Sequence, residues 1–288
     1  MSNVLELRGV SYNYNAKTPF ATAALRDVSI GFEEGKIIGV IGHTGSGKST
    51  LVQLLNGLLR PSVGQVLLHG KDIWENPKEI SKVRFAVGLV MQYPEDQLFD
   101  ATVRSDIGFG PRNMKLSEED IDMRVREALA FVGLSEDILE KSPFDLSGGQ
   151  RRRVAIAGVI AMKPAVLILD EPAAGLDPKG RNEILSGLWE YGKKSGTTVI
   201  LVSHSMEDMA QYCDRVVVMN DASVYMEGDV NEVFSRAELL EQIGLDVPEI
   251  AKIAAILRSR GVPIYGDLYT VSGVRDALLK LLKGGEEI

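Results

Sequence analysis

Residues 42–50 read GHTGSGKST, between the apolar stretch KIIGVI (36–41) and the helical pattern LVQLLNGLL (51–59). The segment matches G-x-x-x-x-G-K-[ST] in the strand, loop and helix context that a phosphate-binding loop requires. Gly42, Gly45 and Gly47 let backbone amides turn inward, and the helix start adds a partial positive charge. The segment therefore predicts a P-loop NTPase core that binds the phosphates of a nucleotide.

The polar side chains of this loop have separate predicted roles. Lys48 has the reach to contact the β and γ phosphates, and the Ser49 hydroxyl is a ligand for Mg²⁺. We expect Thr44, Ser46 and Thr50 to contact the nucleotide as well. The expected ligands are therefore ATP and Mg²⁺.

Two histidines near this region are given structural interpretations. His43 lies inside the loop and is interpreted as an outward-facing filler, because its neighbours bind through their backbone. His69, in VLLHGKDI (66–73), is interpreted as a surface residue in a hairpin turn.

Three further apolar stretches also end at polar residues. FAVGLVM (85–91) precedes Gln92, AVLIL (165–169) precedes Asp170, and TVILV (198–202) precedes Ser203 and His204. Apolar runs that alternate with helical segments predict buried strands of a largely parallel sheet. Ligands bind beyond the carboxyl ends of such strands, so we expect these polar residues to converge on one pocket.

The Asp170–Glu171 pair has two interpretations. Alone, such a pair after a strand is more often a solvated turn or a helix cap. Beside a phosphate loop, Asp170 is predicted to hold Mg²⁺ and Glu171 to polarise the water that attacks the γ phosphate. Gln92 is predicted to contact that water or Mg²⁺, and His204 to sense the γ phosphate, although either could simply be satisfied by nearby backbone.

The segment DLSGGQRRRVAIAG (145–158) contains what looks like a second phosphate-binding helix start. Ser147 and Gln150 have the spacing of a capping box, which explains the segment as a helix cap with flexible glycines. Alternatively, Ser147, Gly148 and Gly149 present a hydroxyl and amides to an anion at the positive end of a helix.

Composition narrows the classes of function. The chain has 288 residues, 45% of them apolar, and its 32 basic and 40 acidic residues give a net charge of −8. This charge argues against sequence-independent binding of nucleic acid or anionic lipid as the main activity. The single cysteine, Cys213, excludes an internal disulfide and a thiolate metal cluster. The longest apolar run, 154–162, falls short of the roughly 20 residues that span a bilayer, so we expect any membrane link to go through a partner.

The order and spacing of these motifs resemble the ATP-binding cassette (ABC) family. The resemblance covers residues 1 to about 235 and rests on GHTGSGKST, Gln92, LSGGQ (146–150), VLILDE (166–171), AGLD (174–177) and His204. It implies an α/β fold with a mostly parallel sheet, an antiparallel N-terminal β subdomain and a helical signature subdomain at about 100–160.

The same resemblance implies that the site is shared between two subunits. The signature residues Ser147 to Gln150 of one subunit bind the γ phosphate held by the phosphate loop of the other, in a head-to-tail pair. Tyr14 stacks on adenine by this likeness, although Tyr12 is close enough to leave the choice open, and either could be a packing residue of a strand. Asp177 is implied to lie at the interface. The sequence departs from the family at Ala173 and Ala174, where Thr or Ser is more common.

A narrower resemblance is carried by MQYPEDQLFDATVRSDIGFGPRN (91–113), SGGQRRRVAIAGVIAMKP (147–164) and DEPAAGLDPKGR (170–181). These segments are similar to the ATPases of energy-coupling factor (ECF) transporters, in detail to the second of two paralogous ATPases. This implies ATP-driven uptake of a vitamin or transition-metal ion at the cytoplasmic face of the membrane. The implied partners are a second ATPase subunit, either a paralogue or a second copy, a transmembrane coupling subunit, and indirectly a substrate-capture membrane subunit. Nucleic acid and direct membrane insertion are not expected.

Two segments have competing interpretations. YPEDQLF (93–99) is either a contact for the coupling subunit or a solvated loop with Leu98 and Phe99 packed inward. Residues 236–288 are expected to form a small C-terminal α/β extension with two amphipathic helices, which either caps the main domain or holds the ATPase pair together.

The alternative functions belong to other classes. An ATPase of another ABC importer would share every motif. A soluble ABC ATPase of DNA repair or translation usually has a long coiled coil or two cassettes, and neither pattern is present. A small-molecule kinase would explain GHTGSGKST but leave LSGGQ and His204 without a role.

Overall fold

The computed structural model describes residues 2–16 and 18–284. Within them the strands are β1 Asn3–Tyr14, β2 Thr22–Glu33, β3 Ile37–Ile41, β4 Val63–Leu68, β5 Lys71–Asp72, β6 Val87–Val90, β7 Val166–Asp170, β8 Thr198–Val202, β9 Arg215–Asn220 and β10 Ser223–Asp229. The α-helices are α1 Lys48–Leu55, α2 Ile80–Ala86, α3 Val103–Asn113, α4 Glu118–Phe131, α5 Gly148–Ile160, α6 Pro178–Ser195, α7 Met206–Tyr212, α8 Val230–Phe234, α9 Ala237–Gln242, α10 Glu249–Ser259 and α11 Val271–Gly284.

The central sheet has the order β10-β9-β3-β8-β7-β6, and its strands run parallel except for β10. Every residue of β3 and β8 is buried, since helices cover both faces of the sheet and leave no side for polar residues. The four apolar stretches predicted as strands are β3, β6, β7 and β8, and they lie in one sheet as expected. Strand β6 starts two residues later than its apolar stretch because α2 extends to Ala86.

A second, antiparallel sheet has the order β2-β1-β4-β5 and confirms the expected N-terminal β part. Its inner face contributes Leu5, Leu7 and Phe32 to a core that it shares with α1 and one face of the central sheet. His69 follows β4 in a left-handed turn, with φ of +48°, and is exposed as predicted. This packing holds α1, and with it the phosphate loop, between the two sheets.

Helices α3, α4 and α5 lie between β6 and β7 in the chain and pack against one another. The buried residues of α4 are Ile121, Val125, Ala128 and Leu129, spaced to give one apolar face. Ser117 caps this helix by accepting a hydrogen bond from the Asp120 amide at 3.1 Å. Together the three helices form the expected helical part.

The C-terminal segment differs from the α/β extension that we expected. From residue 236 to 284 it consists of α9, α10, α11 and connecting loops, and these described residues contain no strand. Within the stretch PIYGDLYTV (263–271), Ile264 and Leu268 are buried in a small cluster with residues of α10 and α11. Nowhere in the described chain does a helix combine the length and apolar character needed to cross a bilayer.

Candidate functional site

The phosphate loop follows β3, which lies between β8 and β9 in the sheet. Gly47 has φ of +106°, and a Cβ there would lie 2.6 Å from the Ala24 carbonyl oxygen. Gly42 is equally crowded, since a Cβ would lie 2.4 Å from both the Met219 carbonyl oxygen and Ser46 Oγ. The loop therefore needs glycine at both positions, for close packing as well as for backbone conformation.

Lys48 is buried at the start of α1, with its ammonium group turned back over the loop. Its Nζ donates to the carbonyl oxygens of Gly42 at 2.6 Å and His43 at 3.0 Å. Burial lowers the pKa of Lys48, while the nearby carboxylates of Glu171 and Asp170 oppose that effect. The phosphate loop and the end of β7 thus belong to one electrostatic cluster.

Asp170 and Glu171 supply the negative charge of this cluster. Burial raises the pKa of Asp170, and Lys48 opposes the rise. Burial, together with the Asp170 charge, raises the pKa of Glu171 to about 7. His204 lies beside this pair, with Nε2 3.5 Å from Glu171 Oε1, and burial lowers its pKa. A glutamate with a pKa near neutrality is suited to accept a proton during catalysis.

Glu171 also has unusual backbone geometry. Its φ is +51°, in the left-handed region that non-glycine residues rarely occupy, and its amide donates to the Val202 carbonyl oxygen at 3.0 Å. The turn directs the chain away from β7 directly after Asp170. Strain of this kind persists at sites where the surrounding structure imposes a particular side-chain position.

Two buried polar atoms of the described residues have no hydrogen-bond partner at this site: Glu171 Oε1 and Ser46 Oγ. A buried polar atom without a partner indicates a missing water, ion or ligand group. Gly45 lies at the open side of the loop, where a Cβ would have nothing within 4 Å. The residues present therefore fit a bound nucleotide and a hard cation, since hydroxyl and carboxylate oxygens are the ligands that Mg²⁺ prefers.

Tyr14 and Tyr12 lie on the same strand, with their rings 5.0 Å apart and nearly perpendicular. Tyr14 is 39% exposed, and its hydroxyl lies 3.3 Å from Thr50 Oγ1 at the start of α1. Tyr12 is partly buried and packs on the core beneath the antiparallel sheet. Of the two, Tyr14 presents its ring beside the phosphate loop, so the geometry favours Tyr14 for stacking on a base.

His43 is not the outward-facing filler that we expected. Its Nδ1 lies 2.8 Å from the Thr44 carbonyl oxygen, and its Nε2 lies 2.9 Å from the side-chain oxygen of Asn220. Asn220 ends β9, the strand next to β3. The stretch RVVVMN (215–220) carries the same signal as the other strands, an apolar run that ends at a polar residue, so Asn220 could have been found from the sequence.

Gln92 follows β6, whose end lies beside the end of β7 in the sheet, and the signature residues start α5. Gln92 is exposed after β6, at the edge of the sheet. Ser147 and Gln150 form the predicted capping box, in which Ser147 Oγ accepts from the Gln150 amide at 3.3 Å and Gln150 Oε1 accepts from the Ser147 amide at 3.1 Å.

Gly148 and Gly149 are open, because a Cβ on either would meet nothing within 4 Å. Among the described residues, no hydrogen bond joins 147–150 to the phosphate loop. Residues 147–150 therefore form an accessible helix start and make no hydrogen bond to the phosphate loop of the same chain.

The comparisons with known proteins agree with this geometry. The sequence model of the ABC transporter family matches residues 25–174. The chain is 50% identical to the energy-coupling factor transporter ATP-binding protein EcfA2 of Caldanaerobacter subterraneus subsp. tengcongensis, over 99% of each chain. It is 52% identical to the protein of the same name from Symbiobacterium thermophilum, over 96% of this chain and 95% of that one.

Solved structures are also similar. CbiO1 from Clostridium perfringens, described as part of the ABC transporter complex CbiONQ, matches with a TM-score of 0.75 and 40% identity over 90% of this chain and all of that one. A dimeric ATP-binding cassette in a post-hydrolysis state, bound to ADP and Pi, matches with a TM-score of 0.71 and 27% identity over 78% of this chain and 98% of that one.

Proposed function

Because the chain belongs to the ABC transporter family, and within it to the ATP-binding proteins of energy-coupling factor transporters, we propose that it powers import by hydrolysing ATP. The proposed cargo is a vitamin or a transition-metal ion, which a separate membrane subunit captures. The single observation that carries the ATPase activity is the cluster of Lys48, Glu171 and His204 at the phosphate loop. The assignment to importers is supported by the similarity to the EcfA2 proteins over almost the full length of the chain.

The nucleotide is proposed to bind along the loop 42–50. Backbone amides and the start of α1 hold the phosphates, with Lys48 at the β and γ groups and Thr44, Ser46 and Thr50 as further contacts. Tyr14 stacks on adenine. The open position of Gly45, where a Cβ would meet nothing within 4 Å, supports access of a nucleotide to this loop.

Ser49, Gln92 and Asp170 are proposed to hold Mg²⁺. When bound, this ion neutralises charge on the phosphates and polarises the γ phosphoryl group. Glu171 accepts a proton from the water that attacks the γ phosphate, and the products are ADP and inorganic phosphate. His204, next to Glu171, is suited to hold the γ phosphate while Glu171 acts.

The complete site is proposed to require two subunits. Ser147, Gly148, Gly149 and Gln150 of one subunit present the start of α5 to the γ phosphate on the other, because a helix N-terminus with open amides stabilises an anion. The dimeric form of a similar cassette bound to ADP and Pi supports such a pair. The second subunit is a paralogue or another copy of this chain.

The contact with the transmembrane coupling subunit is proposed to be the segment 93–99. Its Tyr93 and Phe99 are exposed, and Phe99 stacks edge-on against Phe109 of α3, which is also exposed. Aromatic side chains grouped on a surface favour a protein contact. The chain would then lie at the cytoplasmic face of the membrane, held there by protein partners.

The test combines purification with one substitution. Glu171→Gln keeps the shape of the side chain but removes the proton acceptor, so we expect Mg-ATP binding to persist while turnover falls at least about a hundredfold. Affinity purification of this variant with ATP from its native membrane should recover a polytopic membrane protein and a second ATPase subunit. Exposed Glu75→Gln is the matched control and should hydrolyse ATP normally. Recovery of ribosomes or DNA in place of a membrane protein would contradict the importer assignment.

A further inference from the structure

Arg152 is a buried charge on the signature helix that none of the roles above uses. It lies two residues after Gln150, and its side chain is 4% exposed. Its guanidinium group makes a two-pronged ion pair with Glu95, from Nε to Oε2 at 2.8 Å and from Nη2 to Oε1 at 2.5 Å. Burial opposes the charge of Glu95, but the hydrogen bonds from Arg152 prevail and lower the pKa of Glu95. Removing one member of such a pair would leave the other buried and uncompensated.

The remaining nitrogen of Arg152 points to a different segment. Nη1 donates to the carbonyl oxygen of Ala174 at 2.5 Å and lies 3.5 Å from that of Pro172. These carbonyls belong to the loop 172–177, which joins Glu171 to Asp177. The alanines Ala173 and Ala174 in this loop have no side-chain hydrogen-bonding group. Arg152 therefore anchors the loop through its main chain.

Besides the loop 172–177, Arg152 contacts the segment 93–99, which is the proposed contact for the coupling subunit. Glu95 lies in the short 3₁₀ helix Pro94–Gln97, and the ring of Tyr93 lies 6.0 Å from the Arg152 guanidinium carbon. Arg152 thus binds two segments that are remote in sequence. A planar guanidinium group can pair with a carboxylate through two nitrogens while its third nitrogen donates to carbonyl oxygens, and the single nitrogen of lysine cannot make this arrangement.

The loop 172–177 has two left-handed backbone positions and a cavity beside it. The φ angle is +51° at Glu171, directly before the loop, and +75° at Gly175, within it. A small cavity of about 90 Å³ lies against it, lined by residues that include Leu185, Leu201 and Arg181. Because interiors are otherwise closely packed, such a cavity leaves room for a small displacement of the loop.

We propose that Arg152 is a positioning residue that couples the contact segment 93–99 to the loop 172–177, so that movement of the segment resets the position of Glu171 in the same subunit. The proposal rests on the proposed function, in which 93–99 contacts the membrane partner. The mechanical link itself is a property of this chain alone and can be tested without the partner.

The first experiment measures amide hydrogen exchange in the isolated chain. Glu95→Gln removes the carboxylate that orients Arg152. We expect amide hydrogen exchange of residues 173–177 to accelerate about tenfold, because the charge-assisted hydrogen bonds between Glu95 and Arg152 are lost. Arg152→Lys should have the same effect. Arg153→Lys is the matched control, since Arg153 is the next residue on α5 but pairs with Glu183 and the Val132 carbonyl oxygen. Unchanged exchange in Glu95→Gln and Arg152→Lys, or an equal change in the control, would overturn the link.

The second experiment measures ATP hydrolysis by the assembled complex in membrane vesicles and by the ATPase pair alone. The quantity compared is the rate of the complex divided by the rate of the pair alone. The wild-type chain and Arg153→Lys should give the same ratio. Glu95→Gln and Arg152→Lys should bring this ratio close to one and leave ATP affinity unchanged. A wild-type ratio retained by both variants would overturn the coupling role but leave the proposed function standing. A wild-type ratio of one would contradict the proposed function and the coupling with it, while the exchange result would still decide the link.

Discussion

At the scale of single residues, Glu171 has an environment that is unfavourable for stability. Its carboxylate is buried next to another carboxylate, one oxygen lacks a partner, and its φ is positive. Each of these features costs stability in the ligand-free chain, and each fits a group that must meet a water and a phosphate. The sequence predicted the role of Glu171 from its place after β7, but not this strain, which arises only when the end of β8 holds its amide.

This cost predicts that Glu171→Gln stabilises the ligand-free protein. In the unfolded chain the carboxyl titrates near its ordinary value of 4.5, and in the native protein near 7. Above pH 7 both states are ionised, and the native state bears the full cost of the buried charge; below pH 4.5 both are protonated, and the cost is absent. The variant should therefore unfold at a higher temperature than the wild type at pH 8, by an amount that shrinks towards pH 5. Thermal unfolding with EDTA and without nucleotide measures this, and exposed Glu75→Gln should have no such effect.

His43 yields a second prediction about one side chain. Its bond to Asn220 ties the phosphate loop to the end of β9, the strand beside β3. Loss of one such bond is worth about 1 kcal/mol, roughly fivefold in binding. We expect His43→Ala to raise the KM for ATP by about that factor with kcat nearly unchanged, and Asn220→Ala to do the same. The double variant should be no worse than either single variant; additive losses would show that the two residues act separately.

The elements that the sequence predicted best are those whose pattern is local. Strands β3, β7 and β8 follow from apolar runs, and the cap of α5 follows from Ser147 and Gln150. Features that depend on remote contacts could not be predicted in this way. The pairing of Glu95 with Arg152 joins residues 57 positions apart, and Ile264 and Leu268 of PIYGDLYTV are buried with residues of α10 and α11 and form no strand.

The start of α5 provides the prediction at the scale of an element. Ser147 both caps the helix and opens the proposed anion site, so Ser147→Arg loses a cap worth about 1 kcal/mol and places a large side chain over Gly148. We expect ATP affinity of the isolated subunit to be nearly unchanged and hydrolysis by the pair to be suppressed. Ser117→Arg is the matched control, because it removes the equivalent cap of α4 and should leave hydrolysis intact. Loss of ATP binding by the isolated Ser147→Arg subunit would contradict a site shared between subunits.

For the whole molecule, the fully buried part of the main core ends near residue 248, and the partly buried Ala251 and Tyr269 pack against it from the later segment. Leu240, Leu245 and Val247 are buried in the main core with Phe234. Beyond them a separate small cluster contains Ala254, Ile264, Leu268, Val274 and Ala277. The helices around this cluster have exposed apolar residues, among them Ile253, Ile256, Leu279 and Leu282. A surface of this kind favours the interpretation that the last helices help to hold the ATPase pair together.

Two truncations test this division. Ending the chain after Ser235 removes Leu240, Leu245 and Val247 from the core, at about 2 kcal/mol each, which is a large part of the 5–15 kcal/mol that stabilises a typical domain. Ending it after Pro248 keeps all three. We therefore expect the longer fragment to remain soluble and to bind ATP, and the shorter one to aggregate, as measured by soluble yield and thermal unfolding.

In the Glu171→Gln background, sedimentation should show a weaker ATP-dependent pair for the longer fragment than for the full chain. Aggregation of both fragments would place the division elsewhere, and an equally strong pair would remove the C-terminal helices from the subunit interface.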